Sequence, residues 1–170
     1  MNWEALSAIA QLAVVVGLIP SLIYLAAQVR EQNKERRRAA VAVLTGQWSA
    51  MVKTLVESSE FAEIYLRGIQ QFDNLSSAER LRFSAFLAIF FKNFEGLYYS
   101  YKDGTLEPAH WAQVKRTMTD VASYPGTQAW WSVRRHWHTE EFAALLDRMI
   151  KEAPEAKAYD LYLKESRAAK

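Results

Sequence analysis

At 170 residues and 19.5 kDa the chain has room for one ordinary domain with an appendage, and its 51% hydrophobic and 24% charged residues exclude a disordered chain. Cysteine is absent, which excludes a disulfide framework, a thiolate metal site and a cysteine nucleophile and leaves the redox compartment open; six Gly and four Pro favour helices over a turn-rich β fold. The net charge of +2 is local: residues 30–38 hold Arg30, Lys34, Arg36, Arg37 and Arg38 against Glu31 and Glu35, while residues 39–170 balance sixteen bases with sixteen acids.

Residues 5–29 carry no formal charge. As a helix rising about 1.5 Å per residue they reach roughly 37 Å, enough to cross a hydrocarbon core of about 30 Å. Trp3 and Tyr24 stand near the two ends, where amphipathic aromatics favour the interface. Two other readings compete. A signal peptide would place positive charge before the apolar stretch, whereas Met1-Asn2-Trp3-Glu4 is acidic and the arginines follow. A buried core or oligomer-core helix with no polar face is unusual in so small a domain. The sequence therefore predicts a transmembrane anchor over 1–29. The bases after it set the orientation, with the N-terminus outside and 30–170 in the cytoplasm, and they are placed to meet anionic headgroups or to serve topology alone.

Within the anchor, Ala10, Ala13, Gly17, Pro20, Ser21, Tyr24 and Gln28 share an arc of about 100°. Ala13, Gly17 and Ser21 form a small-xxx-small series of the kind that lets helices approach closely in lipid, so Ala10, Ala13, Gly17, Ser21, Tyr24 and Gln28 are the predicted helix–helix interface. Pro20 predicts a modest kink. No residue of the span is suited to a haem ligand, a proton relay or an ion path.

The helix is expected to run on through the basic juxtamembrane segment 30–38 into a helical domain over 39–170. Up to residue 57 its inner face would be Val41, Leu44, Trp48, Met51, Leu55 and Val52, with Ser58 and Ser59 stopping it and capping a short helix that carries Phe61, Ile64, Tyr65 and Ile69. Ser76 and Glu79 form a capping box, opening a helix to about Lys102 that ends at Asp103-Gly104. Phe83, Leu87, Phe90, Phe94 and Leu97 make its apolar stripe, widened by Phe86 and Phe91. Pro108 opens a helix with Trp111, Val114, Met118 and Val121, and Pro125-Gly126 the next, with Trp130, Trp131 and Trp137. Thr139 caps one containing Phe142, Leu145, Leu146 and Ile150, and Pro154 opens a last segment with Tyr159, Leu161, Tyr162 and Leu163.

The run from Trp130 to His138 is a mixed aromatic and basic patch. Arg134 lies four residues from Trp130 and Arg135 four from Trp131, so each is spaced to stack on an indole, and two adjacent Trp would not both face inward on one helix. That constraint favours the plainer reading of one core Trp beside solvated arginines, and Trp130, Trp131, Arg134 and Arg135 stand beside it as a candidate partner surface. His136 and His138 diverge by about 200° on a helix, so they do not chelate one ion. Glu140 and Glu141 read as first-turn acids. No catalytic residue, metal site or cofactor motif is identified, and the narrow basic segment does not suit a nucleic-acid partner.

The opening Asn2-Trp3-Glu4-Ala5, the run Leu22-Ile23-Tyr24-Leu25-Ala26 with Gln28-Val29-Arg30, Phe94-Glu95 with Tyr98-Tyr99, Trp111, and Pro125-Gly126 followed by Trp130-Trp131 resemble a widespread group of uncharacterised bacterial proteins. The resemblance covers most of the chain and implies a single-pass inner-membrane anchor with a helical cytoplasmic domain. It implies no activity and no functional residues. The sequence thus predicts an all-α, non-catalytic accessory or assembly subunit of a larger membrane complex, a respiratory or photosynthetic one being one setting. Its partners would be membrane lipids and other membrane subunits. The alternatives are a membrane-anchored homo-oligomer and a ligand-sensing or catalytic bundle with a pocket among Phe90, Phe94, Tyr98 and Trp111.

Overall fold

A computed structural model describes residues 3–153 and 157–163; the side chains of 4–15, 37, 40, 41, 44 and 47 lie outside that description. Pro154, which opens the expected last segment, lies outside it too, as do the side chains of Ala10, Ala13, Arg37, Val41 and Leu44. Among the described residues the secondary structure is helical only, without strands: α1 Trp3–Glu57, α2 Ser59–Gln70, α3 Ser77–Lys102, α4 Pro108–Ala122, α5 Pro125–Arg134 and α6 Glu140–Glu152, with 3₁₀ turns at Phe72–Asn74 and Arg135–Trp137. The chain divides into two compact units, residues 1–40 and 41–170.

In the first unit α1 continues through Pro20. Its described side chains, from Val16 to Arg36, are all exposed, including Leu18, Ile19, Leu22, Ile23 and Leu25. Among the described residues no helix is long and apolar enough to cross a membrane. The uncharged stretch begins at residue 5, so much of it falls on side chains outside the description.

In the second unit the helix ends are set by side chains. The Ser58 hydroxyl accepts from the Phe61 N–H at 3.1 Å, so α1 stops at Glu57 and α2 begins. Ser76 and Glu79 close a reciprocal capping box at the start of α3. Gly104, at φ 77°, occupies the left-handed region beyond α3, which a side chain would strain. Pro108 and Pro125 sit in the first turns of α4 and α5, where a missing N–H costs nothing.

α3 is the hub. Phe83, Phe86, Leu87, Phe90, Phe91, Phe94 and Leu97 are buried along it, packed by α2 and α4. α5 packs against α2, α4 and the Phe72–Asn74 turn. Trp130 lies stacked on Phe91 with centroids 5.5 Å apart. α2 and α5 cross backbone to backbone. A Cβ on Gly126 would stand 1.9 Å from the Gly68 carbonyl oxygen, and one on Gly68 would meet the Phe83 ring at 2.5 Å. From residue 41 onward α1 contributes Met51, which is buried, the half-buried Leu55 and Val52, and Trp48, whose ring faces Phe90 at 6.2 Å.

Candidate functional site

Two expected surfaces lie on α1. On the helix–helix face a Cβ at Gly17 would meet nothing within 4 Å, the Ser21 hydroxyl donates to the Gly17 carbonyl at 3.0 Å, and Tyr24 and Gln28 are exposed. Back-bonding of Ser21 to its own helix leaves the face smooth and uncharged. In the basic segment Arg30, Lys34, Arg36 and Arg38 are exposed, and Lys34 pairs with Glu31 at 3.2 Å.

The expected partner surface in the second unit is rearranged. Trp130 and Trp131 are both buried, so neither offers a docking face. A short helix packed on more than one side buries residues 100° apart: Trp130 reaches Phe91, and Trp131 lies 5.1 Å from the His138 ring. The Trp131 indole N–H donates to Asp147 Oδ1 at 2.8 Å. Arg134 and Arg135 stack on neither of those indoles. Arg135 donates through Nε to Asp147 Oδ2 at 2.8 Å and pairs with Glu140 at 2.8 Å, clamping the Arg135–Trp137 turn to α6. Arg134 lies 4.4 Å over Trp137, which is 46% exposed and is the indole this patch does present.

The most complete polar constellation is one the sequence does not announce. Glu95 sits on the buried side of α3, and its carboxylate receives four donors. Lys92 Nζ, at 2.7 Å, and His138 Nδ1, at 2.9 Å, reach Oε2. The Thr139 N–H, at 2.7 Å, and the Thr139 hydroxyl, at 2.8 Å, reach Oε1. The Tyr99 hydroxyl lies 2.7 Å from Thr139 Oγ1 and extends the chain to the surface. Burial alone would raise the Glu95 pKa, but the Lys92, Thr139 and His138 hydrogen bonds more than offset it and hold it at about 2. Because an ionised carboxylate only accepts, His138 carries its proton on Nδ1. Burial lowers the His138 pKa despite the pull of Glu95. Nε2 lies buried without a hydrogen-bond partner among the described residues, beside the Trp131 and Phe142 rings.

Such a dyad has the form of an oriented base, but the His138 side chain is fully buried, with Nε2 facing no described polar group. The cluster joins α3 to the start of α6. Thr139 stands at the N-cap as expected, yet its hydroxyl serves Glu95 rather than the helix. The missed signal is positional. Glu95 lies four residues from Phe91, a lone acid on the apolar side of an aromatic helix, and such a residue requires a partner.

Two open grooves flank this core. One, of about 630 Å³, runs along Ala50, Met51, Thr54, Phe61, Phe86 and Ile89. The other, of about 300 Å³, lies between Trp48, Phe94, Leu97, Leu106, His110 and Gln113. The aromatic pocket expected among Phe90, Phe94, Tyr98 and Trp111 is occupied by the rings themselves, with Phe90–Phe94 centroids at 4.5 Å and Tyr98–Trp111 at 5.6 Å. Among the described residues no group of three or more His, Asp or Glu is placed to hold a metal ion. Compared with protein-family models, with curated proteins and with solved structures, the chain matches none of them.

Proposed function

We propose that the chain is a single-pass membrane protein whose α1 anchors a helical interaction domain, and that it serves as an accessory or assembly subunit of a larger membrane complex. One observation carries the anchor: the apolar side chains Leu18, Ile19, Leu22, Ile23 and Leu25 cover about 160° of α1 and all are exposed, and the remaining arc, with Gly17, Pro20, Ser21, Tyr24 and Gln28, carries no charge. They continue an uncharged run that begins at residue 5 and ends abruptly at Arg30. A helix with a broad exposed apolar face and no charge on any side is matched by lipid around it, with the small and mildly polar arc left for a neighbouring helix. The subunit role is supported by the small, uncharged Gly17–Ser21 face and by the open apolar grooves of the domain.

Alkaline carbonate washing of membranes tests the anchor. The full chain is expected to stay in the pellet, and release into the wash overturns the reading. Native mass measurement after mild detergent extraction tests the role. A stable complex with other subunits is expected, and Gly17→Leu should weaken it by filling the close-approach face. A monomer indifferent to that change removes the docking claim, and a complex of identical chains replaces the subunit with a homo-oligomer.

A further inference from the structure

We infer that the arginines following the apolar part of α1 form a binding surface for the phosphates of anionic phospholipids, and do more than fix topology. The inference rests on the anchor reading above. The change of character is abrupt: Val29 ends the uncharged run and Arg30 follows it directly. On a helix Arg30 and Lys34 then lie within a headgroup layer of about 5–7 Å, and Arg36 and Arg38 within roughly one further Debye length of about 8 Å. All four side chains are exposed. Lys34 pairs with Glu31 at 3.2 Å in an exposed contact. Arg30, Arg36 and Arg38 make no ion pair among the described residues, so their charge faces outward.

The choice of base is the second observation. Four of the five bases in 30–38 are Arg, against eight of the sixteen elsewhere in the chain. Topology is satisfied by lysine as well as by arginine. Phosphate oxygens discriminate: the planar guanidinium presents two N–H donors in a fixed fork, whereas an ammonium is a point charge. Exposed, unpaired guanidinium groups within about two and a half turns of an apolar helix surface suit the phosphates of an anionic leaflet.

The test reconstitutes the full chain in nanodiscs of phosphatidylcholine with a minor fraction of phosphatidylglycerol. The lipids carried by each chain are then counted by native mass measurement. A preference for phosphatidylglycerol of about tenfold is expected, erased by high salt and by the triple variant Arg30→Gln, Arg36→Gln, Arg38→Gln. Lys34→Gln alone should leave it within about twofold, since it removes one point charge and no guanidinium fork. No preference in the wild-type chain, or one that the triple variant keeps, overturns the inference while the anchor stands. Release of both proteins by carbonate overturns the anchor itself and is read separately. In a third arm the detergent-solubilised chain is titrated with fluorescent single-stranded RNA. Binding that outcompetes phosphatidylglycerol reassigns the surface to nucleic acid and also overturns the inference.

Discussion

Glu95 shows how a buried charge is made tolerable: each oxygen takes two donors, one set from its own helix and the Arg135–Trp137 turn's exit, the other from the α6 cap. Glu95→Gln keeps the shape but turns one oxygen into a donor facing donors. In thermal unfolding of the detergent-solubilised full chain at pH 7 it should cost about 2–3 kcal/mol. The pH dependence has a fixed sign. Below the ordinary His pKa of 6.5, unfolded His138 takes up a proton that the folded ring resists. Below the ordinary Glu value of 4.5, unfolded Glu95 takes one up that the folded carboxylate resists down to about 2. The unfolded chain binds more protons in both windows, so stability falls as pH falls. Glu95→Gln should flatten the limb between 4.5 and about 2 only in part, because Arg67 and the Ser76 cap also hold Glu79 at about 2. A limb unchanged in slope would show that Glu95 is not held ionised by these donors. Thr127 is the opposite case: fully buried, with no partner for Oγ1 among the described residues. Thr127→Val should leave the melting temperature unchanged or raise it, and a clear loss would reveal a hydrogen bond at that hydroxyl.

At the scale of the helices, most ends and most core faces were legible in the sequence because they are set locally. Ser58, the Ser76–Glu79 box, Gly104, Pro108 and Pro125 all stand where their chemistry placed them. The α3 stripe is buried because its four-and-three spacing allows one face. What local spacing does not carry is what arrives from far along the chain. Trp130 and Trp131 are both covered because α5 is enclosed on two sides, and His138 finds Glu95 forty-three residues away. The Gly68–Gly126 crossing belongs to the same class. Gly126→Ala would drive a methyl group into the Gly68 carbonyl and the Ile69 backbone, so α2 and α5 must separate at a cost of about 1–3 kcal/mol or more. Gly96→Ala, on an exposed turn of α3 with nothing within 4 Å, should instead gain up to about 1 kcal/mol. Paired denaturant titrations of the two variants read both signs.

For the whole molecule, the absence of cysteine makes the proposed topology directly measurable, since one introduced thiol is the only target of a maleimide. In intact cells Asn2→Cys should react with a membrane-impermeant reagent and Ser123→Cys only after lysis; the reverse pattern would invert the orientation. The contact between Gly68 and Gly126 has a consequence for synthesis. Its two halves are made at different times, α2 well before α5. Until the ribosome has passed Pro125, no other element fills the place α5 takes beside α2, and Trp130 is not there to cover Phe91. The nascent chain therefore leaves the tunnel with its apolar interior open on one side, and that interior closes only when the later helix is threaded home in the one register that sets glycine against glycine.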